Sequence, residues 1–249
     1  MEKVNWVLLR GLAREKGHWV NFDTQMKDAF QGEVLCLDLP GAGDSLHEAV
    51  PLSIKGMTDF IRAKWLVQRG NEKKWSLLAI SLGGMIAMDW CARYPKDFEL
   101  LVTINSSTKK LSLPFERISP LAIKSLAKTI FINDPHKREE LILNLITNHD
   151  NVDQSIAKEW GELAKKRQIK ISNFFKQLFA ASKFNLPKKI QTPYLVLASE
   201  NDRFTNCKCS KKISKYFNVP IHLHPTAGHD LPIDDGEWII EKIRDFKKS

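Results

Sequence analysis

The sequence predicts an α/β protein in which about six mostly parallel strands are flanked by helices and interrupted by a helical insertion. Short apolar runs alternate with amphipathic stretches along most of the chain, which is typical of a parallel sheet covered on both faces. The alternation stops between residues 107 and 190 and then resumes. The 249 residues also suffice for one large domain with a substantial buried core.

The individual elements follow from apolar periodicity and from the residues that end each run. We predict strands at Val4–Leu9, Val34–Asp38, Leu77–Ile80, Leu100–Ile104, Tyr194–Ala198 and Ile221–His224. We predict helices at Asp23–Phe30, Ile54–Gln68, Met85–Cys91, Ser210–Phe217 and Gly236–Phe246. Ser53 supplies the N-cap of the second helix, and Pro95 cannot continue the third.

The insertion has no convincing strand, but it contains four places where a helix can begin. Ser119 and Asp134 each precede a proline, which is favourable at the first helical position because that amide has no partner within the helix. Asp153 and Ser172 also precede amphipathic runs. Because strands resume afterwards, we interpret residues 107–190 as a helical lid inserted into a core formed by residues 1–106 and 191–249.

The formal net charge of +9 lies almost wholly in this lid, which contains 16 lysines and arginines but only 8 acidic residues. A basic surface can attract nucleic acid, acidic lipids or an acidic protein. It is equally consistent with an ordinary lysine-rich solvated surface. The basic run Lys165–Arg167 is short and belongs to no nucleic-acid-binding module, so we expect no nucleic-acid partner.

The cysteines and the apolar runs indicate whether a metal ion or a membrane is a partner. Cys207 and Cys209 precede two histidines on a predicted strand, but the Cys-x-Cys spacing differs from that of usual zinc sites. We therefore expect no metal and no cofactor. No apolar run reaches the ~18 residues of a membrane span, and the N-terminus lacks the features of a signal peptide. These features predict a cytoplasmic protein without a membrane partner.

A strand, a serine, a tight turn and a helix follow one another around Ser81, which is the arrangement of a nucleophile elbow. Its sharp turn requires small residues two positions before and after the serine, and Ala79 and Gly83 meet that requirement. The turn would lift the hydroxyl above the sheet and point the N–H of Leu82 towards a developing oxyanion. Because small-x-Ser-x-small also occurs in ordinary loops, this motif alone does not distinguish a nucleophile elbow from an ordinary strand-to-helix loop.

A serine hydroxyl becomes a useful nucleophile only when a base takes its proton and a third group orients that base. Asp202 follows the fifth predicted strand, and His229 follows the sixth. Parallel strands present their C-terminal ends at the same edge of a sheet. We therefore expect both side chains to lie near Ser81 at that edge.

Other acids and histidines near these strand ends are weaker candidates. Glu200 lies earlier in the loop after the fifth strand, and Asp230 directly follows the histidine, where it is poorly placed to reach Nδ1. His222 and His224 alternate with apolar residues, so we interpret them as strand residues.

These features together resemble the α/β-hydrolase-fold serine hydrolases, in which the triad follows the same chain order. The likeness spans nearly the whole chain and rests on Arg10-Gly11, Asp38–Ser45, Ile80–Gly84, Arg93–Pro95, Asp202 and Ala227–His229. The resemblance implies an oxyanion hole built from the backbone N–H groups of Leu12 and Leu82. His18 and Trp19 follow this loop and are candidates for the pocket wall, although Trp19 is equally consistent with a core residue.

Two departures from the family pattern are visible. Arg10 stands where the family usually has a histidine, so the anchoring of the oxyanion loop must differ while its backbone amides remain available. The family also usually begins with an antiparallel hairpin. Since this sequence starts with the first parallel strand, we expect a six-stranded, nearly all-parallel sheet.

The resemblance implies a carboxylic-ester hydrolase that works through an acyl-Ser81 intermediate. Within the fold, the chain is most similar to small cytoplasmic carboxylesterases such as the pimeloyl-acyl-carrier-protein methyl ester esterases. The substrate would be a small-molecule or carrier-bound acyl ester, and an acidic acyl carrier protein is a candidate partner for the basic lid. A thioesterase, a C–C bond hydrolase or lyase with the same triad, and a non-catalytic binding protein remain alternatives.

Overall fold

The computed structural model describes residues 3–70, 74–148 and 153–248. These residues form a six-stranded sheet in which every neighbouring pair is parallel, in the order β2-β1-β3-β4-β5-β6. The strands are β1 (Val4–Leu9), β2 (Gln31–Leu37), β3 (Trp75–Ile80), β4 (Leu100–Ile104), β5 (Tyr194–Ser199) and β6 (Ile221–His224). The predicted fold class is confirmed.

Helices cover both faces of the sheet and fill the insertion between β4 and β5. They are α1 (Phe22–Phe30), α2 (Ile54–Gln68), α3 (Leu82–Arg93), α4 (Pro114–Arg117), α5 (Pro120–Thr129), α6 (Pro135–Ile146), α7 (Ser155–Lys166), α8 (Ile171–Ser182), α9 (Lys208–Phe217) and α10 (Leu231–Lys248). Short 3-10 helices cover Lys16–Trp19 and Gly43–Ser45.

Two element boundaries differ from the prediction for local reasons. Gln31 adopts a left-handed conformation (φ 53°) that ends α1, so the chain enters β2 earlier than its apolar pattern indicates. Helix α10 begins at Leu231, before the predicted start at Gly236, because non-helical backbone at Asp235 (φ −158°, ψ 78°) divides it by a kink. The sequence pattern had revealed only the part after the kink.

Successive residues of the central strands point into two separate cores. Leu77 and Ala79 of β3 pack under α2, α3 and α9, whereas Leu78 and Ile80 pack under α1 and α10. Both faces of the sheet are therefore buried, which explains why this strand is apolar throughout rather than alternating.

The insertion is helical from α4 to α8, and α5 and α6 begin where the sequence predicts. Ser119 and Asp134 each accept a hydrogen bond from a backbone N–H of the first turn (3.1 and 2.9 Å). The lid has a small apolar core of its own around Leu143 and Trp160, and Phe204 from the loop after β5 packs against it. The lid therefore adjoins the edge where the strands end. No helix among the described residues has both the length and the hydropathy to cross a bilayer.

Candidate active site

Ser81 lies between β3 and α3 in a backbone conformation that few residues adopt (φ 56°, ψ −118°). Its N–H donates to the carbonyl of Ile104 at the end of β4 (2.9 Å), and its own carbonyl accepts from Ser106 Oγ (2.9 Å). Strained backbone of this kind persists only where the surroundings fix it. Here the neighbouring strand end holds the turn that presents the serine.

The space around the turn accounts for the small residues that the motif requires. A Cβ at Gly83 would lie 2.6 Å from the carbonyl oxygen of Arg10, and a Cβ at Gly11 would lie 3.0 Å from the Cβ of Ser81. The backbone of Leu9 and Arg10 therefore leaves no room for a larger residue at Gly83. Ala79 is fully buried, and its methyl group is accommodated at the other small position of the motif.

Asp202 and His229 form a buried pair at the neighbouring strand ends. Asp202 Oδ2 lies 2.7 Å from His229 Nδ1, and its Oδ1 accepts from the backbone N–H groups of Phe204 (2.7 Å) and Thr205 (2.8 Å). Only 1% of the Asp202 side chain is exposed. A carboxylate fixed in this way favours the imidazole orientation in which Nε2 is free to accept a proton.

The rival candidates have other partners. Glu200 is exposed and lies 3.5 Å from Lys211, whereas Asp230 pairs with Arg10. His222 and His224 belong to β6, as predicted.

Asn105 is a site residue that sequence reasoning missed. It follows β4, adopts a positive φ (46°), and accepts a hydrogen bond from the backbone N–H of Ser199 (2.8 Å). Its Nδ2 donates to the carbonyls of Gly228 (3.2 Å) and His229 (2.9 Å). One buried side chain thus joins the end of β5 to the histidine loop. An asparagine just past a strand end was the only signal available.

Arg10 is anchored by a buried ion pair on the other side of the histidine loop. Its guanidinium donates two hydrogen bonds to the carboxylate of Asp230, one of them 3.0 Å long, and stacks 4.6 Å from the centre of the Trp19 ring. The backbone N–H of Asp230 also donates to Ile146 of the lid (2.7 Å). The oxyanion loop and the histidine loop are therefore tied directly to each other.

The two predicted oxyanion donors flank the serine. Leu12 lies in the loop after Gly11 and lines the cavity, whereas Leu82 begins α3 and buries its side chain in the core. Within the described part of the chain, neither backbone N–H donates a hydrogen bond. Both are thus available to an oxygen placed near Ser81.

A cavity of about 510 Å³ lies between the strand ends and the lid, and Ser81 and His229 both line it. Its wall is mainly apolar and includes Ile118, Ile123, Ile142, Phe174, Phe175 and Leu178 of the lid. No hydrogen bond joins Ser81 Oγ to His229 within the described residues. Catalytic hydrogen bonds often tighten only when substrate binds.

His18 and Trp19 have different positions. His18 lines the cavity and contacts the Trp160 ring, whereas Trp19 packs in the core. Burial, with the guanidinium groups of Arg14 and Arg10 nearby, holds the pKa of His18 well below its usual range. Its imidazole is therefore neutral near pH 7.

Two ion pairs connect the oxyanion loop to the lid at the polar end of the cavity. Arg14 Nη1 lies 2.6 Å from Glu139 Oε2 of α6, and Arg167, just after α7, lies 3.0 Å from Glu15. Burial raises the pKa of the Glu15 carboxyl, and the Arg167 charge opposes that rise. Among the described residues, at Cys207 and Cys209 as elsewhere, no group of three or more His, Cys, Asp or Glu side chains could hold a metal ion.

The parallel sheet, the strained serine at a strand-to-helix turn and the Asp–His pair at the following strand ends define an α/β hydrolase. The sequence profile of the serine aminopeptidase S33 family matches residues 7–236, so the chain belongs to that family of hydrolases.

Individual relatives are distant. The human monoacylglycerol lipase ABHD6 (Homo sapiens) is 21% identical over an alignment that covers 99% of this chain and 76% of the relative. The esterase EaEST from Exiguobacterium antarcticum superposes with a TM-score of 0.78 at 14% identity, covering 100% of this chain and 93% of the other. The enol-lactonase from Burkholderia xenovorans LB400 has a TM-score of 0.74 at 16% identity, with coverage of 100% and 93%. At such identities these structures establish the fold alone.

Proposed function

We propose that this chain hydrolyses carboxylic esters through an acyl intermediate on Ser81. His229 takes the hydroxyl proton as Ser81 Oγ attacks the ester carbonyl, and the resulting oxyanion is received by the N–H groups of Leu12 and Leu82. His229 then gives the proton to the departing alcohol. A water molecule attacks the acyl-enzyme, its proton passes through His229 to Ser81, and the carboxylic acid is released.

The observation that carries this proposal is the buried Asp202–His229 pair beside the cavity that Ser81 lines. The 2.7 Å contact to Nδ1 leaves Nε2 as the only ring nitrogen that can act as the base. The same carboxylate stabilises the imidazolium that forms during the reaction, because it is desolvated and held by two backbone N–H groups.

The cavity supports a substrate with an apolar acyl group. Its lid wall of isoleucine, leucine and phenylalanine side chains would bury hydrocarbon, and about 510 Å³ falls within the usual range of small-molecule sites. The names of the esterase and the monoacylglycerol lipase agree with ester substrates. Thioesters would pass through the same acyl-enzyme, and an acyl carrier protein as the donor stays a prediction.

The test is a panel of p-nitrophenyl esters from acetate to laurate with wild type and the Ser81→Ala variant. Loss of the nucleophile should reduce turnover by ~10⁴-fold or more, with the Tm unchanged. Ser172→Ala, an exposed serine on α8, is the matched control and should behave as wild type. Equal catalysed hydrolysis by Ser81→Ala and wild type would contradict the role of Ser81. Wild type that hydrolyses none of these esters above the uncatalysed rate would instead favour a binding protein that keeps the fold without chemistry.

A further inference from the structure

Two polar residues of helix α8, Asn173 and Gln177, point into the protein. Gln177 is fully buried, where its Nε2 donates to the carbonyl of Pro40 (3.1 Å) and its Oε1 accepts from the N–H of Ala13 (3.0 Å). Asn173 is also buried and donates to the carbonyl of Gly41 (3.3 Å). These bonds satisfy loop backbone that would otherwise be buried without partners, and they fix the rotation of the helix.

Three large apolar residues of α8 lie on the side that faces solvent. Ile171, Phe175 and Phe179, at four-residue spacing on one side of the helix, are each about half exposed. A second apolar strip runs along α5 and the residues that follow it, and it comprises Leu121, Ile123, Ile130 and Phe131. Phe131 is 84% exposed. Exposed apolar surface of this extent marks an interaction site more often than an ordinary protein surface.

Both strips border the cavity that Ser81 lines. Ile123 and Ile130 contribute to its wall from the α5 side, and Ile171 and Phe175 contribute from α8. Since these four side chains are also exposed, they mark the rim of the cavity mouth. We call residues 119–132 and 168–183 the rim surface.

The charge of the rim surface has a single sign. It carries the exposed lysines Lys124, Lys128, Lys170, Lys176 and Lys183, and no aspartate or glutamate. Aromatic and aliphatic side chains interleaved with lysines are characteristic of segments that lie at the boundary between headgroups and acyl chains of an anionic bilayer.

We propose that the rim surface docks on an anionic phospholipid bilayer. Phe131 and Phe179 would enter the acyl boundary, while the lysines reach the phosphates with their long side chains. An acidic protein would offer carboxylates to the lysines, but it would leave the two apolar strips without a hydrocarbon counterpart. The prediction of no membrane partner rested on the lack of a spanning run, and surface binding requires none.

The experiment is co-sedimentation with phosphatidylglycerol vesicles and, separately, with phosphatidylcholine vesicles. Wild type should bind the anionic vesicles, more weakly as salt rises. The Phe131→Ser/Phe179→Ser double variant should lower the partition coefficient about tenfold or more, because two large apolar side chains no longer leave water. Lys124→Glu/Lys128→Glu should cause a similar loss. None of these four residues lines the cavity.

The matched control is Val67→Ser, because Val67 is 85% exposed on α2, away from the rim surface. It should bind vesicles as wild type does. The proposal would be overturned if wild type did not bind anionic vesicles, or if the serine double variant bound them as well as wild type does. It would also be overturned if the protein were retained by an immobilised acidic carrier protein but not by vesicles. Vesicle binding needs no turnover. A parallel assay of p-nitrophenyl acetate hydrolysis therefore distinguishes a failure of the membrane proposal from a failure of the proposed esterase activity.

Discussion

At the scale of single residues, three contacts hold the His229 loop. Nδ1 meets Asp202, the backbone carbonyl accepts from Asn105, and the next residue, Asp230, pairs with Arg10. Each partner comes from the C-terminal end of a different strand. The imidazole position therefore depends on the sheet as a whole rather than on its own loop.

Asn105→Asp tests whether this support matters for catalysis. The aspartate keeps an acceptor for the Ser199 N–H, but it replaces the two hydrogen bonds to the histidine loop by repulsion between a carboxylate and carbonyl oxygens. We expect kcat for p-nitrophenyl butyrate to fall about tenfold to a hundredfold, with KM little changed. Asn218→Asp, at another positive-φ asparagine far along the chain, is the control. Equal kcat for both variants would remove Asn105 from this role.

The Arg10–Asp230 pair makes a prediction about stability. Asp230→Asn leaves a buried guanidinium without its counter-charge, which should lower the free energy of unfolding by about 3–5 kcal/mol. Asp44→Asn, which removes the exposed partner of both Lys16 and Arg167, should cost about 1 kcal/mol or less. Urea denaturation of the two variants measures the difference. Similar costs would mean that the buried pair is no more important than a surface pair.

His18 should make stability depend on pH in a defined direction. Its pKa is lowered in the folded state, so on acidification the unfolded chain takes up a proton near pH 6.5 that the folded chain does not. Stability is therefore lost as pH falls below about 6.5. The stability of wild type relative to His18→Gln should decrease by about 1 kcal/mol between pH 8 and 5.5. A difference that stays constant over this range would contradict a neutral, buried His18.

The sequence pattern predicts where each strand ends, and the proximity of Asp202 and His229 follows from those positions. Asp202 and His229 both follow apolar runs, and parallel pairing brings such ends to one edge. The pairing of Arg10 with Asp230 could not be predicted from the sequence, because 220 residues separate them and nothing in the local sequence marks either as a partner. Trp19, left open by the sequence, packs in the core against Phe22, and the Arg10 guanidinium lies over its ring.

At the scale of elements, α8 differs most from what its sequence indicates. A run containing four aromatic or leucine residues predicts an apolar face directed inward. Phe174 and Leu178 do line the cavity, but Asn173 and Gln177 are buried as well. These two polar side chains supply hydrogen bonds to loop backbone from the first half of the chain. Such long-range satisfaction of polar groups cannot be inferred from periodicity.

Gln177→Leu tests this account of α8. The leucine is similar in size, but it leaves the Pro40 carbonyl and the Ala13 N–H without partners, at a cost of about 1–3 kcal/mol each. Amide hydrogen exchange in α8 should accelerate, because the lid opens more readily. Gln68→Leu, at an exposed glutamine of α2, should leave exchange unchanged. Unchanged exchange in Gln177→Leu would show that apolar contacts alone hold the helix.

At the scale of the whole molecule, the all-parallel sheet and the helical lid make different contributions to the candidate site. The sheet brings the ends of β3, β4, β5 and β6 to one edge, and the lid covers that edge with an apolar wall. The basic excess of the sequence lies in the lid, where the structure combines it with exposed apolar side chains. The acidic carrier protein that the charge alone suggests stays a prediction, and the vesicle experiment bears on it directly.

The central claim is that Ser81 is a nucleophile activated by His229 and Asp202, and covalent labelling by a fluorophosphonate tests it most directly. Intact-protein mass spectrometry should find one adduct per folded chain, and peptide mapping should locate it on Ser81. Ser81→Ala should remain unmodified, while His229→Ala and Asp202→Asn should react at least ~10³-fold more slowly. A folded wild type that resists the label, or an adduct on any other residue, would contradict the account.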